Sequence, residues 1–218
     1  MPNVFIENAT LQNIADAIRN KTGKAEKMLP AEMPAEIESI ETGGDNHYDN
    51  FWDNYQNHGN RKNYYHAFAG ECWNDEIFKP KYPIKAIRAD NMFSDGNIKE
   101  INVTLDLSEC TNAGTMFGYN VVVTTIKDML VHENLSLENS FRACTVLVTL
   151  GMRGVIGRTI DLRWSSRLSA ESIENIISCL KDLTGGTAQT LTFHATVGGN
   201  LTDTQKATIT AKNWTLVY

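Results

Sequence analysis

The residues of this 218-residue chain that could do chemistry are five histidines, four cysteines, a few carboxylates and two of its three glycine pairs. His47, His58, His66, His132 and His194 are spread along the chain. His58 and His66 share an aromatic stretch but lack metal-ligand spacing. Cys72, Cys110, Cys144 and Cys179 contain no pair spaced like a zinc knuckle or a redox motif, so buried, reduced, structural thiols are expected. Thr42-Gly43-Gly44 and Gly198-Gly199-Asn200 lack the lysine and helix that complete a phosphate loop. No serine elbow supplies a nucleophile for acyl transfer. Asp45, Asp49 and Asp53 fall four apart and could line one helical face around a cation. They lack the alternating oxygens and glycine of a calcium loop, and a solvated acidic face is expected. Carboxylate pairs for glycoside cleavage are defined by separation in space, so a carbohydrate-active enzyme stays as a residual class. The expectation is a chain with no catalytic residue, no metal and no cofactor, which is not an enzyme.

Binding chemistry has better candidates. Tyr48, Phe51, Trp52 and Tyr55 recur at three- and four-residue spacings that one helical face can carry. Tyr64, Tyr65, Phe68, Trp73, Phe78 and Tyr82 follow. Two readings stand side by side. The stretch 47–83 is either a cap over the open end of a repeat stack or an aromatic platform for sugar or peptide. On the second reading Trp52, Tyr55, Tyr64, Tyr65 and Trp73 are the binding residues.

Charge narrows the partners. The net charge is −6, and no basic cluster exceeds Arg61-Lys62, which argues against nucleic acid and against an anionic membrane surface. Apolar residues at 42% and charged residues at 21% are the balance of a folded rather than a disordered chain. No apolar run reaches bilayer-spanning length. The start, Met1-Pro2-Asn3-Val4-Phe5, lacks a charged and then apolar leader, giving the expectation of folding in a cytoplasm without a signal peptide.

These residues need elements to position them. Residues 1–42 read as a small helical module. Thr10 can cap a helix with Leu11, Ile14, Ala15 and Ile18 on one face, and Ile37 and Ile40 lie on a second short helix. Two helices this short cannot cover their own apolar stripe, so Leu11, Ile14, Ile18, Ile37 and Ile40 are expected to form an attachment face for a partner or a second copy. Thr42 to Asn46 reads as a linker. Residues 43–218 form the second domain: the aromatic block 47–83, repeats over 84–167, and C-terminal helix and strand units over 168–218.

Repetition defines that second domain. Phe68, Phe93, Phe117 and Phe141 recur every 24 or 25 residues, each after Ala, Met or Ser. Apolar-polar-apolar triplets run in parallel at 105–107, 135–137, 160–162 and 191–193, each a short strand with two side chains on one face. A period in the twenties with one strand per unit predicts a leucine-rich-repeat solenoid of α+β class, with one curved parallel sheet and a phenylalanine ladder in its core. Ser169 is placed to cap a helix carrying Ile173, Ile176, Ile177, Leu180 and Leu183, ended by Gly185-Gly186. Thr202-Asp203-Thr204-Gln205 is a capping box. Asn213 suits a left-handed turn before a last strand over 214–218.

The segments Leu107-Ser108-Glu109-Cys110-Thr111-Asn112 with Met116-Phe117, and Ser140 to Leu147, resemble the BspA-type leucine-rich repeat: a small residue and Phe, then Cys, then Leu. Leu11 to Arg19 with Lys21-Thr22-Gly23 and Met28-Leu29-Pro30 resembles a module at the start of tail-associated proteins of phages and prophages of Gram-positive bacteria. Phe51-Trp52-Asp53, Phe78 to Tyr82 and Lys212-Asn213-Trp214-Thr215 resemble the same group. The resemblance implies a non-enzymatic virion protein, tail- or baseplate-associated. It would contact other virion proteins or itself, and a glycan or protein of the host surface. A BspA-like cell-surface adhesin is the alternative.

Overall fold

The computed structural model describes residues 63–70, 76–80 and 83–218. The module at 1–42 with its attachment face, the linker, the Asp45, Asp49 and Asp53 series, and Trp52, Tyr55, Cys72 and Trp73 lie outside the described residues.

The described chain is α+β, with two parallel sheets and no closed barrel among the described residues. The first sheet contains β1 (Ile77–Phe78), β2 (Ile84–Lys85), β3 (Glu100–Asp106), β4 (Thr125–Val131) and β5 (Thr149–Gly154). Both β1 and β2 pair with β3, which pairs with β4, which pairs with β5. The second sheet is β6 (Ile160–Leu162), β7 (Gln189–Phe193) and β8 (Trp214–Val217), in that order. Helix α1 (Ala170–Cys179) stands between β6 and β7 in sequence, and α2 (Ala195–Gly199) and α3 (Asp203–Ala211) between β7 and β8.

β3 forms because Ile101, Val103 and Leu105 alternate with Asn102, Thr104 and Asp106, so burial follows the period of a pleated strand. In β4 the alternation breaks. Lys127 and Asp128 separate the buried Ile126 and Met129, and the register shifts there against both neighbours. Gly151 of β5 faces this bulge; a Cβ on it would sit 2.1 Å from the Lys127 carbonyl oxygen. The expected triplets describe only part of this. Leu105, Ile160–Leu162 and Leu191–Phe193 are strand, with Ile160 opposite Leu191 and Leu162 opposite Phe193. Residues 135–137 are not. Leu135 and Leu137 are buried, but the Leu135 N–H turns back onto the His132 carbonyl. The strands of these turns are β4 and β5, and there are two sheets rather than one.

Between strands the chain makes the same turn each time. The amide of Phe68 donates to the Met92 carbonyl (2.8 Å), that of Phe93 to Met116 (2.7 Å), and that of Phe117 to Ser140 (2.9 Å). Two positions flank each Phe in the left-handed region. His66, Asn91, Thr115 and Asn139 precede it by two (φ 55° to 56°), and Gly70, Asp95, Tyr119 and Ala143 follow it by two (φ 53° to 68°). The four rings stack at 5.3, 5.5 and 5.8 Å between centroids, and all are fully buried. The expected ladder of Phe93, Phe117 and Phe141 is present.

Helix α1 closes the first sheet. Ser169 caps it as expected. Two of its polar side chains and its last carbonyl then take the place of a next strand. Leu150 N–H donates to Ser172 Oγ (2.9 Å), Met152 N–H to Asn175 Oδ1 (2.6 Å), and Ile156 N–H to the Cys179 carbonyl (2.8 Å). The helix ends at Cys179, because Leu180 turns extended and bridges Ile156. Gly185 (φ 80°) serves a later turn rather than the helix stop expected of it.

Candidate functional site

Among the described residues the three thiols are buried and play a structural part. Burial pushes Cys110 up to about 11 and Cys144 up to about 12, and also raises Cys179, so none is a thiolate near neutrality. Cys144 donates its S–H to the Phe117 carbonyl (3.2 Å) and Cys179 to that of Met152 (3.5 Å), each tying a turn to the one before. These three are free and buried. Among the described residues no group of histidine, cysteine and carboxylate side chains could hold a metal ion. No helix among them is long and apolar enough to cross a membrane.

Of the aromatic binding candidates, Tyr64 and Tyr65 are described. Tyr64 is 3% exposed and belongs to the core, which removes its side chain from any surface platform. Tyr65 is 49% exposed, with the Arg88 guanidinium 4.5 Å above its ring and Asp90 gripping that arginine (2.6 and 2.9 Å). The described part of the platform therefore divides between core and surface.

The concave surface that sequence reasoning missed lies at the carboxyl ends of the second sheet, where ligands of parallel sheets commonly sit. Each strand there delivers its next residues to one groove of about 520 Å³. β6 delivers Arg163 and Trp164, β7 delivers His194, and β8 delivers Tyr218, while Thr145 and Ser166 complete the wall. Trp164 and Tyr218 are 45% and 52% exposed. In-register pairing brings these strand ends together: Leu162 lies opposite Phe193, and Thr192 opposite Val217. No local motif announces the groove, because its residues come from four separate points of the chain.

Neighbouring groups fix the polar side chains. Arg163 is held by Asp161, which accepts from Nε (2.8 Å) and from the Arg163 amide (3.0 Å) and raises the guanidinium pKa. The terminal nitrogens of Arg163 have no partner among the described residues. His194 caps α2: its Nδ1 accepts the Thr196 N–H (3.1 Å), which puts the proton of the neutral ring on Nε2 as a donor. Tyr218 lies against Gly198, where a Cβ would come within 2.1 Å of the phenol ring, and Lys206 Nζ stands 5.7 Å from that ring.

The Lys212-Asn213-Trp214 motif has a structural explanation. Lys212 Nζ donates to the carbonyls of Ile177 (3.1 Å) and Leu180 (2.9 Å) at the end of α1. Asn213, left-handed as expected (φ 60°), donates from its amide to Leu183 and Gly186, both at 3.0 Å. The Trp214 indole donates to the Lys181 carbonyl (2.9 Å). These three residues anchor β8 and so place Tyr218. Comparison of the chain with protein-family models, with curated proteins and with solved structures gives no match.

Proposed function

We propose that this chain is a leucine-rich-repeat solenoid that works by binding, as a non-enzymatic structural or adhesion component of a phage or prophage particle, tail- or baseplate-associated. The observation that carries the repeat reading is the phenylalanine stack with its paired left-handed residues. Four turns repeat the same ring position and the same backbone conformation at 24- or 25-residue intervals, joined by three equivalent hydrogen bonds. A unit that cannot bury its own apolar side chains is stabilised by stacking on the next one. The groove at the second sheet supports a binding role, because exposed tryptophan and tyrosine beside fixed polar groups are the usual make-up of a recognition surface.

The virion assignment rests on the resemblance of residues 11–30, 51–53, 78–82 and 212–215. In this reading residues 1–42 attach the chain to other virion proteins or to a second copy, through Leu11, Ile14, Ile18, Ile37 and Ile40. The repeat domain meets a glycan or protein of the host surface. A BspA-like cell-surface adhesin is the second reading, favoured by the fit of Ser140 to Leu147 to one turn of the stack.

The experiment is fractionation of an induced lysate of the strain that encodes the chain. Full-length protein is expected in the particle band of a density gradient, and Ile14→Glu with Ile18→Glu is expected to release it to the soluble fraction. Recovery on the cell envelope in place of particles overturns the virion reading in favour of the adhesin.

A further inference from the structure

We propose that the groove at the carboxyl ends of β6, β7 and β8 is a binding site for a neutral saccharide, seated on Trp164 and Tyr218. The inference rests on the binding reading above and names the ligand class of its recognition surface.

The argument begins with exposure. Folding usually hides an indole, yet Trp164 keeps 45% of its surface in contact with solvent inside a concave wall, and Tyr218 keeps 52%. A flat amphipathic ring held at a groove matches a ligand that is itself flat, with an apolar C–H face and a polar edge. A pyranose ring has that shape. Its hydroxyls need donors and acceptors around the aromatic seat. The hydroxyls of Thr145 and Ser166 do both, while Arg163 and the Nε2–H of His194 donate.

Charge selects neutral over acidic sugars. Arg163 is the guanidinium of the groove wall, and Asp161 already offsets its charge at 2.8 Å. An anionic ligand would have to compete with that carboxylate, whereas a hydroxyl can accept from the spare terminal N–H groups without disturbing it. At about 520 Å³ the groove has the size of a site for a small ligand rather than for a folded partner.

The seat is built rather than incidental. Tyr218 fits where it does because residue 198 is glycine; a Cβ there would overlap the ring at 2.1 to 2.5 Å. His194 is immobilised by capping α2, and Arg163 by Asp161. Preorganised side chains lose little freedom when a ligand arrives.

The test uses the full-length chain and three neutral probes, chitotetraose, cellotetraose and maltotetraose, with heparin as the anionic comparison. Titration is followed by intrinsic fluorescence and calorimetry. At least one of the three sugars is expected to bind more tightly than heparin. Trp164→Ala is expected to weaken that sugar about tenfold or more, with Trp164→Phe restoring part of the loss. Gly198→Ala, which displaces Tyr218 without removing it, is expected to weaken binding in the same direction. Tyr119→Ala, on an exposed tyrosine outside the groove, is expected to change nothing. Unchanged melting of each variant shows that the loss is at the site. The inference is overturned if none of the three sugars binds at millimolar concentration, if heparin is preferred, or if binding survives Trp164→Ala. A chain that sediments with particles yet ignores all three sugars loses this inference and keeps the wider reading.

Discussion

The two sheets of this protein are both parallel, yet they are held together by different means. In the first, β3, β4 and β5 advance by 23 to 25 residues, the step shortening across the bulges, and every turn reuses one Phe position and one pair of left-handed residues. Ion pairs join successive turns: Arg153 reaches Asp128 (2.7 Å), Lys85 reaches Glu109 (2.7 Å), and Lys99 pairs with Glu76. The second sheet repeats none of this. Ile160 and its partner Leu191 are 31 positions apart because α1 is inserted, and single-use ties from Lys212, Asn213 and Trp214 hold the last strand. The regular sheet buries its phenylalanine ladder completely and leaves Tyr65 and Tyr119 exposed on its turns, each under an arginine. The irregular one leaves two rings exposed beside fixed polar groups. Repetition here supplies a core, and departure from repetition supplies a recognisable surface.

The largest contrast is expected in stability. Phe117→Ala removes the ring between Phe93 and Phe141 and should cost about 3–5 kcal/mol in denaturant unfolding. Trp164→Ala, at the groove, should stay within about 0.5 kcal/mol of the parent, as exposed substitutions do. Equal losses at the two positions would erase the distinction between core and surface.

A smaller effect separates the ties from the stack. Lys212→Met removes the ammonium that caps the carbonyls at the end of α1 and should cost about 1–3 kcal/mol. Hydrogen exchange should accelerate over 177–186 and 214–217 while amides of β3 and β4 keep their protection. Uniform acceleration would mean that the sheets open as one unit.

Much of the regular sheet is legible from residue types. The Phe period announces the ladder because every turn needs the same bulk at the same depth. Ser169, Asn213 and the Thr202–Gln205 box announce themselves because capping is local chemistry; the box closes with Gln205 N–H on Thr202 Oγ1 at 3.2 Å and Thr202 N–H on Gln205 Oε1 at 2.8 Å. β4 and β5 are not legible. The Lys127-Asp128 bulge breaks the alternation, and Gly151 contributes closeness rather than a side chain. The triplet at 135–137 misleads because two buried leucines two residues apart need no ladder. The groove was invisible because Trp164, His194 and Tyr218 meet only through the register of three strands, and Thr145 joins them from a turn of the first sheet.

Thr115 sharpens the comparison further. It is β-branched, and it holds φ 55° where the equivalent turns use His66, Asn91 and Asn139. Thr115→Asn should raise stability by about 0.5–1 kcal/mol, measured as a higher denaturant midpoint with an unchanged slope. A loss would show that the threonine side chain makes a contact worth more than the backbone strain.

The smallest effect expected is on pH dependence. Arg153 and Thr104 (2.7 Å) hold the Asp128 carboxyl below its ordinary pKa. A folded-state pKa below the unfolded one stabilises the protein above the unfolded value near pH 4. That contribution is lost as pH falls through the folded pKa. Asp128→Asn should therefore flatten the acid limb of the stability profile by about 0.5 kcal/mol, with no change at the second sheet. An unchanged acid limb would mean that the pair adds nothing to the regular sheet.

Helix α1 meets β5 through Ser172 and Asn175, which answer the N–H groups of Leu150 and Met152, and through the Ser169 amide, which answers the Val148 carbonyl (2.9 Å). These contacts are to backbone, which every strand of the stack presents alike. The helix thus closes the sheet edge by reading main chain, while Ile176 and Ile177 on its inner face join the core. Gene duplication can lengthen or shorten the run of units ahead of it without redesigning the end. Reach can then change across descendants while the contacts between β5 and the helix are inherited intact.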